Sequence, residues 1–394
     1  MKITLPTADG ALRPYTLQGP GAFTPATPGT ALTRAAYSAV HVVADARADI
    51  DPWLQCAVDW DTTMAYRLRL WRMGLGVAEA MDTAQRGMGL DWPTSLQLIK
   101  RSIDASRDVP GALLASGCGT DHLAPEDAKS VDDVIRAYEE QMAAIEKLGG
   151  KLILMASRAL ARVARGPADY ERVYSRVLSQ AREPVVLHWL GDMFDPALRG
   201  YWGHADTTAA METALGIITA HADKVDGIKI SLLDKDQEIA MRRRLPAGVR
   251  MYTGDDFNYA ELIAGDGVGA NPTQQHSDAL LGIFDAIAPA ASAALVARAA
   301  GDETRFHAIL APTVPLSRHI FKAPTRFYKT GLVFMAWLNG HQDHFVMVGG
   351  QQSTRSLLHF TELFRLADAA GLIEQPELAT TRMKTLLGLH GVAG

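Results

Sequence analysis

One ammonium group sits in the middle of residues 225–231, Val-Asp-Gly-Ile-Lys-Ile-Ser, a short run that is otherwise apolar and β-branched. Side chains alternate along a strand, so Ile228 and Ile230 point one way while Gly227, Lys229 and Ser231 point the other. If the isoleucines pack on outer helices, Lys229 projects into a barrel interior. Desolvation there disfavours the ammonium and leaves a free amine able to attack a carbonyl. The plainer reading is a buried lysine paired to a carboxylate such as Asp226 or Asp255. His188 ends the apolar run Val185-Val186-Leu187, and in a barrel it shares the inner face with Lys229. By itself it reads as a satisfied core histidine; beside an imine-forming lysine it reads as the group that moves protons.

The same strand-end logic collects Asp45, Glu79, Asp82, Thr83, Ser231, Asp255, Asp256 and Asn271 as substrate-binding candidates. Ser116, the 117–120 turn, Ser157 and Arg158 stand at the ends of two further strands. Asp45, Glu79, His188 and Asp255 give an alternative, a ring around a divalent cation, although no sharp ligand spacing supports it. The leading expectation is therefore no metal and no cofactor.

These residues need a scaffold that brings strand ends together. Short apolar runs at 39–45, 74–80, 111–116, 151–156, 185–189, 225–231 and 249–253, with a weaker one at 267–270, alternate with helical stretches. Residues 130–148 show the periodicity well, with Val131, Val134, Ile135, Tyr138, Met142 and Ile145 at helical spacing. Eight strands, each followed by a helix, predict an α/β fold of the (β/α)8 TIM-barrel type, whose active site lies at the carboxyl ends of the strands. No GxGxxG follows the first strand, which disfavours a dinucleotide fold. The expected organisation is an N-terminal arm over 1–37, a barrel over 38–290 and a helical C-terminal extension over 291–394. Within the extension, the apolar, aromatic residues 327–337 read as core or subunit interface.

Four segments in order resemble the dihydrodipicolinate synthase / N-acetylneuraminate lyase family of Schiff-base aldolases. Asp226-Gly227-Ile228-Lys229 resembles the family's Gly-Ile-Lys strand. Tyr252-Thr253-Gly254-Asp255-Asp256 resembles its Ser-Gly-Asp-Asp turn. Ala264-Gly265-Asp266-Gly267-Val268 resembles the entry to the last strand, and residues 183–189 resemble the Pro-Ile-x-Leu-Tyr-Asn strand. The resemblance implies that Lys229 forms an imine with a keto substrate. Departures accompany it. His188 stands where the family has its relay tyrosine, Asp82-Thr83-Ala84-Gln85-Arg86 replaces a Gly-Thr-Thr-Gly-Glu carboxylate grip, and Ser157-Arg158 replaces a tyrosine-bearing turn. No arginine follows the fifth strand in Gly191-Asp192-Met193-Phe194. A neutral, hydroxyl-rich keto sugar fits these acids better than pyruvate does, with Thr83 holding polar groups and Asp255 or Asp256 closing the rim.

Composition agrees with a globular enzyme. The chain has 394 residues, 48% hydrophobic and 21% charged, with a formal net charge of −5. It shows no basic footprint for nucleic acid and no apolar run long enough to span a membrane. Two distant cysteines, Cys56 and Cys118, suggest neither disulfide framework nor zinc site. The expectation is a cytoplasmic lyase of the class I aldolase type, self-associated, acting on a small carbonyl compound (a 2-oxo acid or keto sugar). The rivals are a metal-dependent sugar isomerase or hydrolase on the same barrel and a non-catalytic binding protein.

Overall fold

Eight short parallel strands close on themselves in a computed structural model that describes residues 1–81 and 85–392. In chain order the elements are a hairpin of β1 (Lys2–Pro6) and β2 (Leu12–Thr16), then β3 (Ala36–Ala39), α1 (Trp60–Arg72), β4 (Gly76–Glu79), α2 (Trp92–Ser106), β5 (Leu114–Cys118), α3 (Val131–Lys147), β6 (Leu152–Leu154), α4 (Arg158–Val163), α5 (Pro167–Gln180), β7 (Val185–Leu190), α6 (Thr207–Ala220), β8 (Val225–Ser231), α7 (Lys235–Arg242), β9 (Arg250–Thr253), α8 (Tyr259–Ala264) and β10 (Asp278–Leu281). The barrel order runs β3 to β10 in sequence, with β10 pairing back onto β3. Six helices follow: α9 (Ala288–Ala299), α10 (Glu303–Leu310), α11 (Thr313–Ile320), α12 (Lys329–Leu338), α13 (Leu357–Ala369) and α14 (Pro376–Leu389).

Local chemistry sets these boundaries. Asp59, Asp91, Asp206, Asp234 and Asp302 each cap a helix by accepting backbone N–H groups of its first turn. Strand β8 coincides with the β-branched run from which it was expected. The eighth strand does not. Residues 267–270 form a loop in which Gly265 and Gly267 adopt positive φ and the Ala270 N–H donates to the Gln274 side chain, 2.8 Å away. The eighth strand is instead Asp-Ala-Leu-Leu at Asp278–Leu281. The first strand also ends early, at Ala39, so 40–45 run on as a loop into α1.

Alternation sorts the barrel's side chains as the two-residue period requires. Ala39, Ala78, Ala115, Ile153, Val186, Tyr252 and Leu280 fill the interior, joined at the carboxyl ends by Met81 and Met155. Ile228, Ile230 and Leu187 pack outward into the main core with the helices. The β1–β2 hairpin is held to the C-terminal helices: Tyr15 Oη donates to Asp368 (2.7 Å), and the Gly21 N–H donates to the Gly371 carbonyl (2.8 Å). Helix α12 is buried along its whole length, which explains why 327–337 show no polar face. No helix among the described residues is long and apolar enough to cross a membrane.

Candidate active site

Lys229 is on the interior face of β8, level with His188 of β7 and Tyr252 of β9. It is only 6% exposed, and its Nζ approaches the Met81 sulfur at 3.9 Å. Both carboxylates proposed as its structural partner hold hydrogen bonds of their own. Asp226 accepts from the Tyr252 hydroxyl at 2.6 Å, and Asp255 accepts from Phe257 N–H, Asn258 N–H and the Asn258 side chain.

His188 is buried beside the lysine. Its Nε2 lies 3.4 Å from Ser231 Oγ, and its Nδ1 has no hydrogen-bond partner among the described residues. Burial, reinforced by the neighbouring Lys229 charge, holds the imidazole well below its ordinary titration range, so it is neutral at physiological pH. Ser231 is equally buried on the same face. Gly254, at the end of β9, closes this corner: a Cβ there would fall 2.3 Å from Ser231 Oγ, 2.6 Å from the Ile230 carbonyl and 2.8 Å from Lys229 Cε. Only a residue without a side chain lets β9 turn away here.

Several expected contributors sit elsewhere. Asp45 is an exposed turn residue that accepts from Arg47 N–H, because the strand that was to present it ends six residues earlier. Glu79 is fully buried but faces outward, as inward-facing Ala78 requires. It takes a two-pronged ion pair from Arg67 (2.9 Å each) and a hydroxyl hydrogen bond from Ser102 (2.5 Å), so it cements α1 and α2 to the barrel wall. Asn271 precedes β10 and so lies at the opposite end of the barrel from Lys229, accepting from Thr273. Asp255 is at the correct end but caps its own turn, and burial pushes its carboxyl above the usual range. Asp256 accepts from the Ile283 N–H and ties the β9 turn to the β10 turn. Asp82 and Thr83 lie outside the described residues. Asp45 and Glu79 therefore cannot join His188 and Asp255 around a cation, and that arrangement is excluded by their positions. Arg86, the last residue of the segment that replaces the carboxylate grip, is fixed by Asp121, Gln141 and the carbonyls of Ala80 and Gly117.

The sequence reading missed a second polar cluster. His41 Nδ1 is 2.9 Å from Asp285, both groups buried, and Lys329 Nζ donates to the Ala39 carbonyl at 2.8 Å. The available signal was a lone histidine in the apolar stretch 39–45 and a lone lysine heading the apolar stretch 327–337. Two surface recesses lie nearby, one lined by Trp189, Met193, Tyr201 and His204, the other by Arg86, Thr120, Met155 and Arg158; neither includes Lys229.

The family described as a protein of unknown function, DUF993, matches residues 3–392. The chain belongs to the DUF993 family. No curated protein matches this DUF993 chain in sequence. Solved structures match its fold. A prophage protein of the dihydrodipicolinic acid synthase family from E. coli K12, solved in complex with pyruvate, is 16% identical, with 87% of this chain and 100% of that chain covered and a TM-score of 0.64. Dihydrodipicolinate synthase from Aquifex aeolicus is 10% identical (86% and 99% covered, TM-score 0.63). A dihydrodipicolinate synthetase structure from Pseudomonas aeruginosa is 15% identical (86% and 99%, TM-score 0.60). At these identities the likeness establishes the architecture. The barrel that four sequence motifs pointed to is the barrel found.

Proposed function

We propose that this DUF993 protein is a lyase of the class I aldolase type, with Lys229 as the imine-forming residue. The observation that carries the reading is the placement of Lys229: buried, inside the barrel, next to a neutral histidine and at the level where β7, β8 and β9 end. The structural neighbours include a dihydrodipicolinate synthase and a prophage protein of that synthase family solved with pyruvate, which agrees with a small carbonyl substrate.

The chemistry runs as follows. His188 takes a proton from the Lys229 ammonium, the freed amine adds through Nζ to the substrate carbonyl carbon, and the imidazolium returns that proton to the carbinolamine hydroxyl, which leaves as water to give a protonated imine. The electron pair of the adjacent carbon–carbon bond flows into that imine as the bond breaks, leaving an enamine and a second carbonyl product. Protonation of the enamine and hydrolysis restore the amine; the reverse sequence makes the bond. His188, neutral and with Nδ1 available, accepts and returns the protons that these steps displace, and Ser231 orients it. A 2-oxo acid and a keto sugar both supply the required carbonyl.

The test is a turnover screen of 2-oxo acids and keto sugars for carbon–carbon cleavage, with Lys229→Ala as the control. Turnover by the parent and a loss of about a thousandfold or more in a folded Lys229→Ala variant is the expected result. A folded variant that keeps parental activity ends the proposal.

A further inference from the structure

We infer that Met81 sets the size limit on the substrate carbonyl, its thioether being the wall beside which the groups flanking the carbonyl carbon must fit. The inference rests on the imine reading above and adds to it a specificity-determining residue from the end of β4. The Met81 sulfur lies 3.9 Å from Lys229 Nζ, the atom that bonds to the carbonyl carbon, so it is in contact with the reacting nitrogen. Both residues are nearly closed off, Met81 at 1% and Lys229 at 6% exposed. Met81 also belongs to the interior layer with Ala78, Ala115, Ile153 and Met155. A ketone carbon on Nζ carries two substituents into this layer, and one turned toward β4 meets the thioether. Methionine is unbranched and yields where a β-branched side chain cannot, so how far it yields depends on how its backbone is held.

That backbone is clamped. Ala80 adopts φ +48°, the left-handed region that a residue with a Cβ enters only under constraint. Its N–H donates to Glu79 Oε1 at 3.0 Å, the same oxygen that accepts from Arg67 Nη2. Its carbonyl accepts from Arg86 Nη1 at 3.2 Å, and that nitrogen also donates to the Gly117 carbonyl at 2.7 Å. Arg86 is in turn fixed by Asp121 and by the Gln141 side chain at 2.8 Å. Strand β5 closes the remaining side: a Cβ on Gly117 would fall 2.4 Å from the Ala80 carbonyl oxygen and 2.6 Å from Met81 Cα. The geometric effect of the strained turn is to carry Met81 over β5 toward the amine. A wall that only fills space and a wall that selects substrates respond differently when trimmed.

The experiment measures borohydride trapping on Lys229 with pyruvate and with the branched 2-oxo acid of valine, in the parent, Met81→Ala, Met81→Leu and Ala80→Gly. Met81→Ala is expected to raise trapping of the branched acid relative to pyruvate by about tenfold or more, the discrimination that one methylene carries in an apolar pocket. Met81→Leu, close in volume, keeps the parental ratio. Ala80→Gly adopts the positive φ without strain, so its melting temperature stays within about 3 °C while the ratio moves in the direction of Met81→Ala. A Met81→Ala chain with the parental ratio, or one that slows equally on both acids, has lost only packing and overturns the inference. So does a Met81→Leu chain that shifts as far as Met81→Ala. If Met81→Ala does not fold, Ala80→Gly decides: an altered ratio supports the inference and an unaltered one overturns it. A parent that traps neither acid overturns the imine reading and this inference with it, whereas trapping with an unaltered ratio overturns this inference alone.

Discussion

Replacing Gly254 with alanine should damage the site through the one backbone position that cannot give way. The added methyl would stand 2.3 Å from Ser231 Oγ, 2.8 Å from Lys229 Cε and 2.6 Å from the Ile230 carbonyl. The first two neighbours are side-chain atoms and can swing. The carbonyl cannot, because it accepts the Gly254 N–H at 2.8 Å and so locks β8 to β9. Relief therefore requires the two strands to part or Lys229 to be displaced. Overpacking of this kind costs about 1–3 kcal/mol, which for a chain of this size lowers the melting temperature by only a few degrees. Displacing the reacting amine by about 1 Å costs far more in rate, on the order of a hundredfold. The assay is the rate of borohydride-trapped adduct formation on Lys229, read by intact mass, beside a thermal melt. A Gly254→Ala variant that traps as fast as the parent would refute the placement of Lys229 against the β9 turn.

Other perturbations follow from the same geometry. Arg67→Met leaves Glu79 buried without its ion-pair partner, and should destabilise the fold by about 3–5 kcal/mol in a urea titration; a change under about 1 kcal/mol contradicts the structural role assigned to Glu79. Asp45→Ala should leave stability within about 0.5 kcal/mol and trapping unaltered, and a large loss of trapping would return Asp45 to the site. Burial raises the Glu238 carboxyl from 4.5 to about 8, so between these values the folded chain holds a proton that the unfolded chain has released. Stability contributed by that proton is full below about 4.5 and falls as pH rises through about 8. Glu238→Gln should flatten this decline in melting temperature between pH 5 and pH 9; parallel curves for variant and parent would refute it.

How far the sequence carried depends on the range over which each feature is determined. Strand β8 was legible to the residue, since a β-branched run with a period of two fixes both its length and the inward face of Lys229. His188 was legible for the same reason. Glu79 was misread because position at a strand end was weighed without parity: Ala78 faces inward, so its neighbour must face the helices. Asp45 was misread because β3 stops at Ala39, one residue past its last pair with β10, and an apolar run alone cannot reveal where a partner strand ends. The Gly267–Ala270 assignment failed to the turn chemistry of Gly265 and Gly267, and it carried Asn271 to the wrong end of the barrel. Lys329 and the His41–Asp285 pair were beyond reach, because they depend on contacts spanning more than 240 residues.

The most direct measurement is reduction of the parent protein with borohydride in the presence of pyruvate or a keto sugar, followed by peptide mass mapping. A single adduct of substrate mass is expected on the peptide that carries Lys229, absent from Lys229→Ala. An adduct on another lysine, or none with a compound that the protein turns over, would contradict it.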